Sequence, residues 1–171
     1  MTILLETERL FITELSKDMV MDVHKNSLDE DTRRFVPDEV FPTPEDAAET
    51  IEFLISMYAD AEGPLVYAMI TKEKKRNVGY VELVPLGEGK WEIGYHVAKP
   101  YTRQGYATEA VKAFLPVAAK RVGVTEVYGI RLQENVASGR VLEKCGFREF
   151  FVGEGPYHGG VYPISKSVWK M

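Results

Sequence analysis

What most constrains this chain is a change of rhythm near its middle. Three strand-length apolar runs, Leu65–Thr71, Val78–Val84 and Trp91–Val97, follow one another with only short polar breaks. Runs of this length bounded by turn residues read as strands. The breaks, Lys72–Asn77 and Leu86–Gly89, suit turns, so the three runs predict an antiparallel meander. Then the period lengthens. Ala107, Ala110, Val111, Phe114, Leu115 and Ala118 fall on one face of a helix running from about Gly105 to Arg121, and Gly123 ends it. Pro116 lies inside that stripe and predicts a kink there. A sheet that stops meandering and feeds a long helix fits a mixed α/β layer.

The flanks extend this pattern. Arg9–Leu15 reads as a first strand and Asp18 to about Leu28 as a helix. Glu30–Val40 lacks periodicity and reads as a loop with a short helical turn. Thr43-Pro44-Glu45-Asp46 starts a second helix that runs to about Ala61: a capping hydroxyl, a proline at the first helical position and carboxylates at the positive dipole end. After the long helix come a strand at Thr125–Leu132, a short helix at Asn135–Lys144 and two closing strands, Phe147–Val152 and Val161–Trp169. The order is β-α-α-β-β-β-α-β-α-β-β in one domain, residues 1–171.

Charge is unevenly placed. Residues 1–97 carry 10 Lys/Arg against 20 Asp/Glu, and residues 98–148 carry 9 against 4. Either the surface is simply decorated unevenly, or a basic half faces a polyanion and an acidic half a cation. The net charge of −5 argues against general nucleic-acid binding. No apolar run reaches the roughly 20 residues of a membrane span, and the N-terminus has no basic, signal-like start, so a cytoplasmic protein is expected. One cysteine, Cys145, excludes an internal disulfide and a cysteine-based zinc cluster; no metal is expected.

The chemistry concentrates at Trp91–Phe114, WEIGYHVAKPYTRQGYATEAVKAF. A strand ends at Val97, and a loop holding Pro100, Thr102, Arg103, Gln104 and Gly105 enters the long helix. First-turn amides of a helix lack internal partners and sit at its positive end, so such a loop can bind an anion on main-chain N–H groups. Gly105 and the small Ala107 allow close approach; Arg103 can add charge, Thr102 or Thr108 a hydroxyl. A capped core helix explains the same residues. Gly-Lys-Ser/Thr and G-x-G-x-x-G are both absent, which removes the Walker loop and the dinucleotide fingerprint.

Spacing adds to this. Asn135–Phe147, NVASGRVLEKCGF, begins 28 residues after Ala107. TRQGYATEA together with NVASGRVLEKCGF resembles the GNAT N-acetyltransferase superfamily, most nearly its ribosomal-protein-alanine acetyltransferase (RimJ/RimL-like) branch; LETERLFITEL and EIGYHVAKPY resemble that branch too. The resemblance implies a mixed, twisted central sheet of about seven strands flanked by about four helices, its fourth and fifth strands splayed. It implies acetyl-CoA as co-substrate. Backbone atoms of Tyr95, His96 and Val97 would hold the pantetheine. The turn from Thr102 through Arg103, Gln104, Gly105, Tyr106, Ala107 and Thr108 would hold the pyrophosphate. Asn135 would bond the cofactor arm or anchor its turn. Thr102 departs from the family pattern, where glutamine or arginine is usual.

For catalysis, Glu92 is the first candidate base, with Glu82, Glu154, His96 or a water chain as alternatives. A tyrosine that many members use against the departing thiolate is replaced by Leu142, and Ser138 is the donor expected in this branch. Tyr157 or Tyr162 could reach in from the C-terminal strands. Cys145 reads as a small core residue. Glu30, Asp31, Asp38 and Glu39, beside Phe35 and Phe41, lie on the segment that shapes the acceptor wall and favour a cationic amine. A peptide N-terminus is the first acceptor, a polyamine or aminosugar the second, and a non-catalytic acyl-CoA-binding module the alternative of another class. A monomer or a homodimer fits.

Overall fold

A computed structural model describes residues 1–60 and 62–171. Eight strands form one sheet: β1 (Ile3–Glu6), β2 (Leu10–Glu14), β3 (Leu65–Thr71), β4 (Asn77–Gly87), β5 (Lys90–Val97), β6 (Glu126–Leu132), β7 (Arg148–Tyr157) and β8 (Gly160–Lys170), in the order β1-β2-β3-β4-β5-β6-β8-β7. Five α-helices accompany them: α1 (Val20–Asn26), α2 (Glu30–Phe35), α3 (Pro44–Met57), α4 (Tyr106–Val122) and α5 (Val136–Lys144). The count exceeds the expectation by β1 and α2. β1 has four residues and α2 six, too few to show a period, and both are fixed by partners: β2 for the first, the Asp29 cap on Thr32 N at 2.8 Å for the second. The second helix ends at Met57, short of Ala61, which lies outside the described residues.

β3, LVYAMIT, is buried along its whole length because both faces of the sheet are covered. Leu65, Tyr67 and Met69 face a core shared with Val111, Phe114 and Leu115 of α4; Val66, Ala68 and Ile70 face a second core with Ile51 of α3 and Met19. The sheet is therefore the middle layer, with α4 and α5 on one face and α1 to α3 on the other. α4 runs unbroken through Pro116. Pro116 and Lys112, one turn apart, are both exposed, so the carbonyl left without an N–H partner is open to water.

All neighbours in the sheet are antiparallel except β5 and β6, which are parallel and share one pair in register, Glu92 with Tyr128. Beyond that pair the two strands part. β4 and β5, by contrast, stay paired from Gly79↔Val97 to Gly87↔Lys90. The opening therefore lies on one side of β5 only, directly before the loop that enters α4.

Candidate active site at the parting of β5 and β6

The entrance to α4 is built from backbone. Arg103 has φ +63° and Gly105, the residue preceding the helix, φ +83°. Left-handed residues alternating with right-handed ones turn successive N–H groups into one concavity that suits an anion. No side chain caps α4, and its first closing bond is Glu109 N to Gly105 O at 3.0 Å. The amides of Tyr106, Ala107 and Thr108 therefore have no acceptor inside the helix. The loop's own side chains turn elsewhere: Thr102 Oγ1 donates to Lys99 O at 2.9 Å, and Arg103 and Gln104 are exposed. Arg9 braces the entrance from β2's leading turn. Its Nε donates to Glu109 Oε1 at 2.7 Å, and its guanidinium lies 4.4 Å over the Tyr106 ring. Apart from Arg9, the residues that build this concavity, Arg103 to Thr108, follow one another along the chain, which is why the sequence shows them.

A cavity of about 370 Å³ opens where β5 and β6 part, lined on one side by Glu39, Glu82 and Glu92 and on the other by Tyr95 and Ser138. Strand alternation makes this division: Glu92, Gly94 and His96 face α1–α3, whereas Ile93 and Tyr95 face α4 and α5. Tyr95 Oη lies 2.7 Å from Ser138 Oγ and donates to the Ser138 carbonyl at 3.0 Å. Burial raises the Tyr95 hydroxyl above its ordinary range, so it keeps its proton. Asn135 stands at the start of α5, where its side chain accepts from Ser138 N at 3.2 Å, a bond that its turn-anchoring reading calls for. Backbone direction divides the expected pantetheine residues. Ala98 N donates to Val78 O and the His96 carbonyl lies against Gly79, so His96 turns its backbone to β4 and Tyr95 and Val97 turn theirs to the opening.

Across the cavity, three carboxylates converge. Glu82 pairs in register with Gly94, and a β-carbon at position 94 would collide with the Glu82 carboxylate. Gly94 thus leaves the room in which Glu82 lies across β5. Burial raises the Glu92 carboxyl to about 7, helped by the charge of Glu39. Burial also raises Glu82, with Glu92 and Asp38 adding to it, and raises Glu39, with Glu82 and Asp38 adding to it. The Tyr80 hydroxyl donates to Glu39. Among the described residues none of the three carboxylates has an ion-pair partner. In this low-dielectric pocket the carboxyls favour their protonated form unless a cation neutralises them.

Other candidates fall away from this cavity. Glu154 is exposed on β7, and Tyr162 is 47% exposed and outside the lining. Tyr157 does line it, and its hydroxyl donates to Phe35 O at 2.9 Å, tying β7 to α2. The His96 side chain is packed: Nε2 lies 3.1 Å from Thr32 Oγ1 and 3.4 Å from Asp29 Oδ2. Burial would raise Asp29, but its bonds to His96 and to Thr32 hold it well below the usual carboxylate range. Cys145 is buried, and its burial pushes the thiol up to about 11, so it is a poor nucleophile. Glu30 is exposed, and Asp31 pairs with Lys99 at 3.4 Å; of the acidic wall only Asp38 and Glu39 reach the cavity. The Tyr95 hydroxyl is the group the sequence reading missed. The strand alternation that points it at Ser138 was available, but contact with α5 was not. Among the described residues no helix is long and apolar enough to cross a membrane, and no three His, Cys, Asp or Glu side chains are grouped to hold a metal ion.

Comparison with known proteins follows the same geometry. Residues 9–148 match the acetyltransferase (GNAT) domain. The N-acetyltransferase YoaA of Bacillus subtilis is 23% identical over 172 residues, 95% of this chain and 97% of its own length; YnaD of the same organism is 27% identical over 143 residues, 83% and 81%. Among solved structures, a GNAT-family acetyltransferase from Bacillus anthracis superposes with a TM-score of 0.79 at 25% identity, covering 98% of this chain and 96% of that one. RimL, the ribosomal L7/L12 alpha-N-protein acetyltransferase solved with coenzyme A, superposes with a TM-score of 0.84 at 15% identity, covering 99% and 98%, a likeness of fold. With 140 consecutive residues matched across both the α4 entrance and the α5 turn, the chain belongs to the GNAT acetyltransferase family and is an acyl-CoA-dependent N-acetyltransferase.

Proposed function

We propose that the chain transfers an acetyl group from acetyl-CoA to a cationic primary amine by direct attack within a ternary complex, with Glu92 as base and Ser138 against the leaving thiolate. The observation that carries this reading is the division of the cavity. Proton-accepting carboxylates stand on one wall and hydroxyl donors on the other, and the opening between β5 and β6 joins them.

Each part has a physical task. The amides opening α4 suit the diphosphate, and the gap-facing backbone of Tyr95 and Val97 suits the pantetheine arm. An ammonium is drawn to the unpaired carboxylates. Glu92, raised to about 7, is half ionised near neutrality and can take the proton that frees the amine lone pair. The nitrogen then bonds to the acetyl carbon, whose bond to sulfur breaks. Backbone N–H groups on the opened edge of β5 favour the oxygen that gains charge. Ser138, backed by Tyr95, donates a hydrogen bond to the departing sulfur, and the second proton that the nitrogen sheds on bonding to carbon neutralises the thiolate.

A peptide or protein N-terminus is the favoured acceptor; a small-molecule amine is the second. The resemblance to RimL supports the first. The test is a purified chain with acetyl-CoA and an amine panel, followed by release of free thiol. Tight acetyl-CoA binding with no thiol release on any amine would make the chain a binding module instead.

A further inference from the structure

Two of the three carboxylates, Glu39 and Glu82, border a second cavity as well. The second, about 260 Å³, lies under α1 and α3 on the face to which Glu82 and Glu92 point, and Asp38, Glu39, Tyr80 and Glu82 line both. Its walls are mostly carbon: Leu15, Val23, Phe41, Ile51, Leu54 and Val66. The polar side chains that also border it are largely satisfied by their neighbours. Asn26 Nδ2 donates to Asn77 O at 2.9 Å, Ser27 Oγ donates to His24 O and accepts from Phe41 N, and Thr32 Oγ1 donates to Asp29 at 2.7 Å. A ligand reaching this chamber past Glu82 therefore meets carboxyl groups at the neck and hydrocarbon beyond it. An aminosugar would bring hydroxyls, and a polyamine a second ammonium, to walls that offer them few free partners.

We propose that this chamber selects the acceptor: a primary amine carrying an apolar group of leucine or phenylalanine side-chain size close to its nitrogen. The proposal rests on the acetyl-transfer reading above and names its substrate class. The ammonium sits at Glu39, Glu82 and Glu92, its nitrogen facing the opening between β5 and β6, and the apolar group fills the space beside Leu54 and Val23. Such an amine can be a free alkylamine or the first residue of a peptide; both present the same chemistry to the chamber.

The experiment measures kcat/KM at saturating acetyl-CoA in three arms. The first runs from ethylamine to isobutylamine, isoamylamine and phenethylamine. The second uses tripeptides that differ only in a first residue of Gly, Ala, Leu or Phe. The third is spermidine and glucosamine. Each buried methylene is worth roughly fourfold, so isoamylamine should exceed ethylamine by at least about tenfold. A rise confined to the peptide arm identifies an N-terminal residue as the source, and a rise confined to the amines a small molecule. Leu54→Trp, which fills the chamber, should bring the isoamylamine-to-ethylamine ratio down toward one; Thr50→Leu, which adds hydrocarbon to the rim, should raise it. Acetyl-CoA affinity and the melting curve of each variant check that it folds. Turnover that is flat along both series, or greatest with spermidine or glucosamine, overturns the chamber's role and leaves acetyl transfer standing. No turnover with any amine overturns both.

Discussion

The two halves of the site are made of different material. The side that suits the acyl donor is main chain: α4 opens on Gly105 with no side-chain cap, and its anion cradle comes from backbone turned left-handed at Arg103 and Gly105. The opposite side is side chain: Glu39, Glu82 and Glu92 arrive from three separate segments and are held together by burial and register. A second helix shows the opposite way to begin. α3 begins with a complete capping box, in which Thr43 Oγ1 accepts from Asp46 N at 3.1 Å and Asp46 accepts from Thr43 N at 3.2 Å. There the chain satisfies its own first turn and leaves nothing for a ligand. The lesson is that a main-chain site tolerates side-chain change and fails when the backbone is altered, whereas a side-chain site does the reverse.

Substitutions can break this contrast. The largest effect is expected at Gly105. Gly105→Val forces a β-branched residue into φ +83° and crowds the cradle. Acetyl-CoA affinity by calorimetry should fall by at least about a hundredfold, whereas the left-handed conformation costs only about 1–2 kcal/mol of stability. Next comes Glu92→Gln, for which kcat/KM should fall by about 10²-fold or more with acetyl-CoA affinity nearly unchanged. A carboxylate base acts when deprotonated, so the parent's rate should rise with pH through about 7, and this limb should vanish in the variant. Ser138→Ala should lower kcat roughly tenfold while sparing acetyl-CoA binding, and Tyr95→Phe should lower it similarly. Because the two hydroxyls are bonded to each other, the double variant should lose less than the product of the single losses.

Two smaller effects sharpen the comparison. Glu82 is raised in the folded state, so its contribution to stability is intact below pH about 4 and is lost as pH rises through its folded pKa. Glu82→Gln should therefore raise the melting temperature by a few degrees, about 5 °C, above neutrality and leave it nearly unchanged in acid. Arg103→Ala should change acetyl-CoA affinity by less than about fivefold, since one exposed cation adds little to a site made of amides. A loss at Arg103 as great as at Gly105 would move the donor site from backbone to side chain and dissolve the contrast.

The same division explains what could be read from the sequence. The α4 entrance is contiguous, so a strand end, a left-handed glycine and an apolar stripe announced it within a few residues. The order of elements followed from periodicity; β1, the strand it missed, is too short to have a period, and α2 falls where a short helical turn was expected. The acidic wall is different. Glu82 and Glu92 were visible as candidates, but their meeting depends on the register that sets Glu82 over Gly94, which periodicity does not fix. Glu39 reaches them from a loop with no period at all, held by Tyr80. Glu154 was plausible by residue type and is excluded by its exposed place on β7. The apolar chamber was hidden for a related reason: Ile51 and Leu54 read as the core face of their own helix, and only Phe41 was placed on the acceptor wall.

One rung joins β5 to β6, at Glu92 and Tyr128. Glu92 is thus tied on both sides, to Val84 of β4 and to Tyr128 of β6, while the β5 backbone beyond it, at Tyr95 and Val97, keeps an unpaired edge along which a long thin ligand can lie.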